Sequence, residues 1–237
     1  YRMTQGYKWS QNKGLIALGL FKDEAEIASS PSQYDLELMP GDIKYKDING
    51  DGMINDDDIV PIGNTKNPEL VYGFGLSAQW KGFDFSVLFQ GTGKTDVILE
   101  GYSVFPFSEG EYGNVLSAVA DPRNRWISRE ISGTPATERQ DAIFPRLSYG
   151  ARENNQKWST WWLRDGRFLR LKNLELGYTL PQTFTRKFKV ERTRIYFLGY
   201  NLACWAPFDW WDPEQGSVNG NVYPIQKTFT FGLNVSF

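Results

Sequence analysis

The strongest constraint on the fold is the alternation of side chains in the last ten residues, TFTFGLNVSF. Phe229, Phe231, Leu233, Val235 and Phe237 occupy every second position, and Thr, Gly, Asn and Ser stand between them. Because successive side chains of a strand point to opposite faces, this segment has one apolar face and one small, polar face. The pattern predicts a β-strand whose two faces lie in different environments, one apolar and one polar.

Four upstream segments show the same period of two. They are LVYGFGLSAQW from Leu70, FDFSVLFQ from Phe83, LKNLELGYTL from Leu171 and RIYFLGYNL from Arg194. In the third segment the phase changes between Leu171 and Leu174, which predicts a β-bulge. In the fourth segment we assign four large side chains to one face: Tyr196, Leu198, Tyr200 and Leu202.

The connections between these five strands differ in length. Lys81-Gly82 predicts a tight hairpin and 181–191 a modest turn, whereas 99–159 and 206–222 are long. Long loops at one end and short turns at the other are typical of an outer-membrane β-barrel. The alternative is a soluble β-sandwich, in which alternation reflects one buried face. The Gly-rich polar face, and Trp80 and Phe83 beside the short turn, favour the barrel.

The predicted fold class is therefore an all-β, antiparallel transmembrane barrel, of which this chain supplies about five strands. Five strands do not close a barrel, and an open sheet edge is not tolerated in lipid. We therefore expect the chain to be the C-terminal part of a larger barrel, or to pair with strands of another chain. The start at Tyr1, without a Met, also suggests a fragment or a processed product.

Composition excludes several classes of function. The chain has no histidine and one cysteine, Cys204, so His-based triads, His-ligated zinc and an internal disulfide are ruled out. The net charge is −2 and the basic residues are scattered, which argues against nucleic acid as a partner. FQGTGKT lacks the first glycine of a P-loop, and no carboxylate pair indicates a glycosidase. We therefore expect no enzymatic activity.

Residues 47–58, DINGDGMINDDD, have the spacing of a calcium loop. Gly52 stands at the sharp turn, and Asp58 stands where an EF-hand carries a bidentate Glu, so the loop is closer to that of dockerin modules. The alternative is an Asx- and Gly-rich turn without metal. We expect a structural calcium ion, whose ligands are Asp47, Asn49, Asp51, Asn55 and Asp58 through their side chains and Met53 through its carbonyl.

Two segments, WSTWW and WAPFDWWDPEQG, concentrate tryptophans at the long-loop end. Such rings could stack on a sugar, or they could form the aromatic belt of a barrel and the cores of its loops. The candidate substrate-binding residues are Trp158, Trp161, Trp162, Trp205, Trp210, Trp211, Asp212 and Glu214.

Several segments together resemble the SusC/RagA-type TonB-dependent outer-membrane transporters. They are GDIKYKDINGDGMINDDDIVPIGNTKNPELVYGFGLSAQWKGFDFSVLFQG, FPRLSYG, WWLRDGRFLRLKNLELGYTLP, RIYFLGYNLACWAPFDWWDPEQG and YPIQKTFTFGLNVSF. The resemblance implies a bacterial outer-membrane barrel of about 22 strands with an N-terminal plug. It also implies a SusD-like lipoprotein lid, energy from TonB, and import of oligosaccharides or peptides as nutrients.

On that resemblance, 1–68 is an extracellular loop region and 69–237 holds the last barrel strands with their long extracellular loops. Phe229, Phe231 and Phe237 resemble the signal that the barrel-insertion machinery reads. The alternative function is a soluble, calcium-dependent β-sandwich or a dockerin-like binding and adhesion module. Dockerins carry two such loops and this chain shows one, which counts against the second of these.

Overall fold

The computed structural model describes residues 6–107, 115–149 and 153–237. In these ranges the chain forms thirteen strands, four short α-helices and four 3-10 turns. The strands are β1 (Gln11–Gly14), β2 (Ala17–Leu20), β3 (Ser32–Gln33), β4 (Ile43–Tyr45), β5 (Met53–Ile54), β6 (Val60–Thr65), β7 (Leu70–Trp80), β8 (Phe83–Gly93), β9 (Asp96–Ile98), β10 (Leu163–Asp165), β11 (Phe168–Thr179), β12 (Arg192–Trp205) and β13 (Thr228–Ser236). The helices are α1 (Glu24–Ala28), α2 (Ser117–Ala120), α3 (Arg129–Ser132) and α4 (Gln182–Thr185).

The chain divides into two compact units. Unit 1 comprises Tyr1–Asn67, Asp96–Arg164 and Ser217–Asn221, and unit 2 comprises Pro68–Thr95, Asp165–Gly216 and Val222–Phe237. Among the described residues, no helix has the length and apolar content needed to span a membrane.

Unit 2 contains a five-stranded antiparallel sheet in the order β13-β12-β11-β8-β7. All five strands predicted from the alternation are therefore confirmed. The hairpin between β7 and β8 turns at Lys81 and Gly82, whose φ angles are 45° and 88°. A two-residue hairpin turn of this hand needs positive φ at both positions. A Cβ at Gly82 would also lie 2.7 Å from the carbonyl oxygen of Thr179, so glycine fits here for two reasons.

The register gives this sheet one continuous apolar face. Leu76 lies opposite Val87, and Val87 lies opposite Leu174 on the next strand. The large side chains of this face are exposed in unit 2: Leu76 by 63% and Phe231 by 81%. A contiguous apolar surface of this kind needs apolar surroundings, either a protein partner or lipid.

The predicted bulge in β11 is confirmed. Its pairing with both neighbouring strands shifts between Leu171 and Asn173, so Lys172 is the inserted residue opposite β8. On β12 the residues facing Lys172 are Asn201 and Leu202, and Asn201 has a left-handed φ of 53°. The bulge therefore interrupts the ladder on both sides of β11.

Three of the four large side chains assigned to one face of β12 do share a face, which is the polar face of the sheet, whereas Leu202 follows the bulge and lies beside Gly199 on the other face. Phe197 lies opposite both Leu176 and Phe231, so it belongs to the apolar face. Tyr196, Leu198 and Tyr200 share the other face, on which Leu198 lies opposite Glu175. Both faces of the strand carry aromatic side chains, but Arg192 and Arg194 alternate in phase with Tyr196, and the pairing with the neighbouring strands agrees that this face is the polar one.

Unit 1 is built from short paired strands around an apolar core. β1 pairs with β6 and β2 with β4 in antiparallel fashion, and β3 pairs with β5 in parallel. The largest fully buried side chains include Trp162, Tyr45, Phe21 and Phe144.

A buried polar network crosses the core of unit 1. The Asp42 carboxylate accepts hydrogen bonds from Arg146 Nε and Asn155 Nδ2, each at 2.8 Å. Gln33 Nε2 donates to Asn154 Oδ1 at 2.7 Å, and the Tyr45 hydroxyl donates to the Asn154 carbonyl at 2.7 Å. Burial raises the pKa of Tyr45. The network explains the arginine of FPRLSYG, whose last residue, Gly150, lies outside the described ranges.

Candidate functional site

The loop predicted to bind calcium is closed by its own hydrogen bonds. The Asp47 carboxylate accepts the backbone N–H of Gly50 at 2.6 Å and that of Gly52 at 2.9 Å. Gly52 has a φ of 84°, a conformation that favours glycine. Asp51 accepts the N–H of Met53 at 2.8 Å, and Asn55 accepts that of Asp57 at 2.7 Å.

Asp58 is the anchor of this loop. Its side chain is fully buried, and it accepts the backbone N–H of Ile48 at 2.7 Å and that of Asn55 at 2.9 Å. In the described part of the chain, no group of three or more His, Cys, Asp or Glu side chains is arranged to hold a metal ion. A hydrogen-bonded turn therefore accounts for the side chains as they lie. Asp58 Oδ1 also accepts the N–H of Asn49 at 3.5 Å, whereas the other side-chain oxygens keep lone-pair capacity beyond these bonds, so calcium binding stays a prediction.

The three tryptophans of WSTWW have different surroundings in unit 1. Trp162 is only 2% exposed, and its indole N–H donates to the Asn155 carbonyl at 2.8 Å, so it serves the core of the unit. Trp161 donates to the Ile143 carbonyl at 3.1 Å. Trp158 is 54% exposed and donates to Glu100 Oε2 at 2.7 Å. Of the three, Trp158 presents the most surface to a ligand.

The tryptophans of unit 2 lie at the end of β12 and in the segment after it. Trp205 is half exposed, and its ring centroid lies 6.4 Å from that of Phe89 on the apolar face. That position suits an aromatic belt at a membrane interface. Trp210 and Trp211 pack on the buried ring of Phe208, with centroid distances of 5.9 and 4.9 Å.

Asp212 and Glu214 pair with basic residues of β11. The guanidinium of Arg170, whose side chain is 3% exposed, lies 2.5 Å from Asp212 Oδ1 and 2.7 Å from Glu214 Oε2. Lys172, at the bulge, lies 2.7 Å from Glu214 Oε1. These contacts tie the segment after β12 to the strand. The only signal of these contacts in the sequence is the presence of two basic residues, Arg170 and Lys172, within the strand segment FLRLKN.

A second ion-pair cluster, which the sequence did not reveal, lies on the polar face of the sheet. Arg194 on β12 pairs with Asp84 on β8, and its Nη2 lies 2.5 Å from Glu175 Oε1 on β11. The Arg194–Asp84 pair reaches across Gly177, where a Cβ would collide with both side chains. Gly177 therefore makes room for a contact between strands that are not neighbours.

The long connection 99–159 carries ion pairs of its own. Arg123 donates to Asp121 from Nε and Nη2 and lowers the pKa of that carboxyl to about 2. Arg129 likewise holds the pKa of Glu138 below its usual value, chiefly by hydrogen bonding. Ion pairs that are this exposed fix the conformation of local turns but add little to the global stability of the protein.

The chain was compared with family models, curated proteins and solved structures. No family model matches it. It is 32% identical to TonB-dependent receptor P26 of Formosa agariphila over 94% of this chain and 22% of that protein. It is 27% identical to TonB-dependent receptor P3 of the same organism over 98% of this chain and 22% of that protein. The chain thus spans about a fifth of the length of these relatives.

Solved structures give the same result for the fold. The RagAB peptide transporter matches with a TM-score of 0.64 and 23% identity, covering 96% of this chain and 22% of that chain. The RagAB peptide importer in its closed-closed state matches with a TM-score of 0.64 over 95% of this chain and 23% of that chain. The sheet of unit 2 therefore has the fold of part of a membrane β-barrel, and not of half of a soluble sandwich.

These findings define a class: the chain is similar to receptors of the bacterial outer membrane and not to enzymes. More particularly, the chain resembles the TonB-dependent receptors over nearly its whole length and shares its fold with part of the RagAB peptide transporter, in agreement with its sequence segments. The proposed reading of Phe229, Phe231 and Phe237 by the barrel-insertion machinery stays a prediction.

Proposed function

We propose that this chain is the C-terminal part of a TonB-dependent importer that carries oligosaccharides or peptides across the outer membrane. The whole protein would work beneath a SusD-like lipoprotein lid and engage TonB through residues outside these 237. The observation that carries the proposal is the two-faced sheet of unit 2. Its strands are 9 to 14 residues long, sufficient to cross a bilayer when tilted.

The two faces of that sheet suit lipid on one side and a polar interior on the other. The apolar face exposes Leu76, Phe231 and Leu233. The other face carries the Arg194 cluster and Ser77, whose hydroxyl bonds to that of Ser86 at 3.1 Å. An interior-facing polar surface is what a solute-conducting barrel requires.

Support for the ligand class comes from the resemblance and from the solved neighbours. Peptide import is described for the RagAB assembly, at 23% identity. Exposed aromatic rings in unit 1, such as Trp158, are compatible with sugars as well. The proposed ligands are therefore peptides or oligosaccharides.

We also propose that calcium binds the loop 47–58 in a structural role. Three of its carboxylates lie within eleven positions of one another: those of Asp51 and Asp57 are on exposed residues, and that of Asp47 is on a half-buried one. A cation would relieve their mutual repulsion, and the turn geometry leaves them lone pairs to do so.

The membrane assignment of the two faces is tested with lysine substitutions in the full-length receptor. Leu76→Lys places a charge on the proposed lipid face, at a cost of about 2–4 kcal/mol near the bilayer centre. Ser77→Lys, one residue away, places the same charge on the polar face. We expect Leu76→Lys to lower the amount of heat-modifiable receptor in isolated outer membranes, and Ser77→Lys to leave it near the wild-type level.

Uptake of fluorescently labelled peptides and oligosaccharides by the same strains then tests import. Cells lacking the receptor should lose uptake, and those with Ser77→Lys should retain most of it. Equal tolerance of both lysines, or a receptor found outside the outer membrane, would contradict the proposal.

A further inference from the structure

Unit 1 contains a wide groove. Its volume is about 940 Å³, and its walls come from residues 7–13, Leu15, Tyr34, Asp56, Ile59, Lys157 and Trp158. All of these belong to the same compact unit. A groove of this size can hold several sugar or amino-acid units.

One wall of the groove is an indole held in a fixed orientation. The backbone of Trp158 is anchored because its carbonyl accepts the N–H of Leu15 at 2.8 Å. Its ring is anchored because its N–H donates to Glu100 at 2.7 Å, yet the residue remains 54% exposed. A flat ring that is already ordered loses little conformational entropy when a ligand stacks on it.

A second wall is the turn that carries Tyr7 and Trp9. The N–H of Gln11 donates to the Lys8 carbonyl at 3.2 Å, which closes the turn. Trp9 is 87% exposed and Tyr7 is 51% exposed. Single exposed aromatic side chains are common on protein surfaces, but several around one groove indicate a binding surface.

The charge of the groove is positive. Three lysines, Lys8, Lys13 and Lys157, line it together with one carboxylate, Asp56, which accepts the Tyr34 hydroxyl at 3.1 Å. Lys157 Nζ lies 3.9 Å from the ring centroid of Tyr34, and Lys13 Nζ lies 4.7 Å from that of Tyr7. The ammonium groups are therefore held beside the aromatic surfaces, where a ligand that stacks would also meet cations.

We propose that this groove binds an acidic oligosaccharide, with sugar faces on Trp9 and Trp158 and carboxylate or sulfate groups at the lysines. Open, flat rings along a groove suit the C–H faces of pyranoses, whereas peptide side chains are selected by closed apolar pockets or by a free strand edge. The proposal rests on the importer function above and narrows its ligand class at this one site.

The test uses the full-length receptor in detergent and three probes of equal length: tetragalacturonate, maltotetraose and tetraglutamate. Isothermal titration calorimetry should show that tetragalacturonate binds more tightly than the other two probes. Its affinity should fall as salt is added. Trp158→Ala should weaken it about tenfold, which corresponds to 1.4 kcal/mol. Lys157→Gln should weaken it several-fold and flatten the salt dependence.

Matched controls lie outside the groove. Trp80→Ala removes an exposed indole beside the short hairpin, and Lys187→Gln removes an ammonium from the connection before β12. Both should bind tetragalacturonate as the wild type does. Heat-modifiable mobility on gels verifies that every variant is folded.

Equal affinity for maltotetraose, equal or tighter affinity for tetraglutamate, no binding of any probe, or no effect of Trp158→Ala and Lys157→Gln would overturn the groove assignment. The importer proposal fails separately, when the receptor is absent from outer membranes or its deletion leaves uptake unchanged. The two failures are therefore distinguishable.

Discussion

At the scale of single residues, the loop 47–58 combines a recognisable spacing with an ambiguous geometry. The positions of its Asp and Asn residues follow a calcium loop, and in the folded chain they accept backbone N–H groups of the same loop. Both arrangements need Gly52 in its left-handed conformation. The oxygen spacing is therefore informative about the turn, whether or not metal is bound.

Calcium should raise the unfolding temperature of the full-length receptor if the loop binds it. Binding at one hundred times the dissociation constant adds about 2.7 kcal/mol to the free energy of unfolding. Asp51→Asn keeps an oxygen for the Met53 N–H but removes a charge from the site, so we expect it to abolish most of the calcium-dependent shift in Tm. Asp209→Asn, an exposed control in unit 2, should keep the shift. The absence of any shift at millimolar calcium would contradict a metal site here.

Gly177 should be intolerant of even one added methyl group. A Cβ at this position would lie within the contact distance of Asp84 and Arg194, whereas at Gly73 the nearest atom would be 3.4 Å away. We expect Gly177→Ala to cost about 1–3 kcal/mol through the displaced ion pair, and Gly73→Ala to cost much less. The measurement is the temperature at which the folded gel band of the receptor disappears. Equal midpoints for the two variants would contradict the role assigned to Gly177.

At the scale of elements, Arg170 links β11 to the segment that follows β12. Replacing it with methionine leaves Asp212 and Glu214 without their shared partner, and breaking a buried pair on one side costs about 3–5 kcal/mol. We expect Arg170→Met to accelerate proteolysis within 206–216 in intact outer membranes. Arg123→Met removes a cation from an exposed pair and should leave cleavage there unchanged. Protection of the segment in Arg170→Met would show that Phe208 and the adjacent tryptophans hold it instead.

The elements also show how far sequence patterns reach. The five long strands, the tight turn at Lys81-Gly82 and the bulge near Lys172 follow from a period of two and its interruption. The face of β12 is not apparent from its large side chains, because Tyr196 and Phe197 are both aromatic, although Arg194 alternates in phase with Tyr196 and marks that face as polar. Its neighbours agree with that assignment, since Leu176 and Phe231 flank Phe197.

At the scale of the whole molecule, the sheet of unit 2 is incomplete by itself. β7 and β13 are the ends of its strand order, so each has one edge that no described strand of the sheet covers. Barrel strands in lipid need partners on both edges. The comparison of Leu76→Lys with Ser77→Lys tests whether the two faces of this sheet match the lipid and interior sides of a closed barrel.

The sequence by itself determined the strands, the two-faced character of the sheet, the turn around Gly52 and the resemblance to TonB-dependent receptors. These depend on local order along the chain, namely alternation, glycine positions and motifs in sequence. Only the tertiary structure decided what the charged and aromatic side chains do. It paired Arg170 with Asp212 and Glu214, buried Trp162, left Trp158 beside three lysines, and joined Arg194 to Asp84 over Gly177. Those outcomes depend on contacts between residues far apart in sequence, which the order of residues along the chain does not specify.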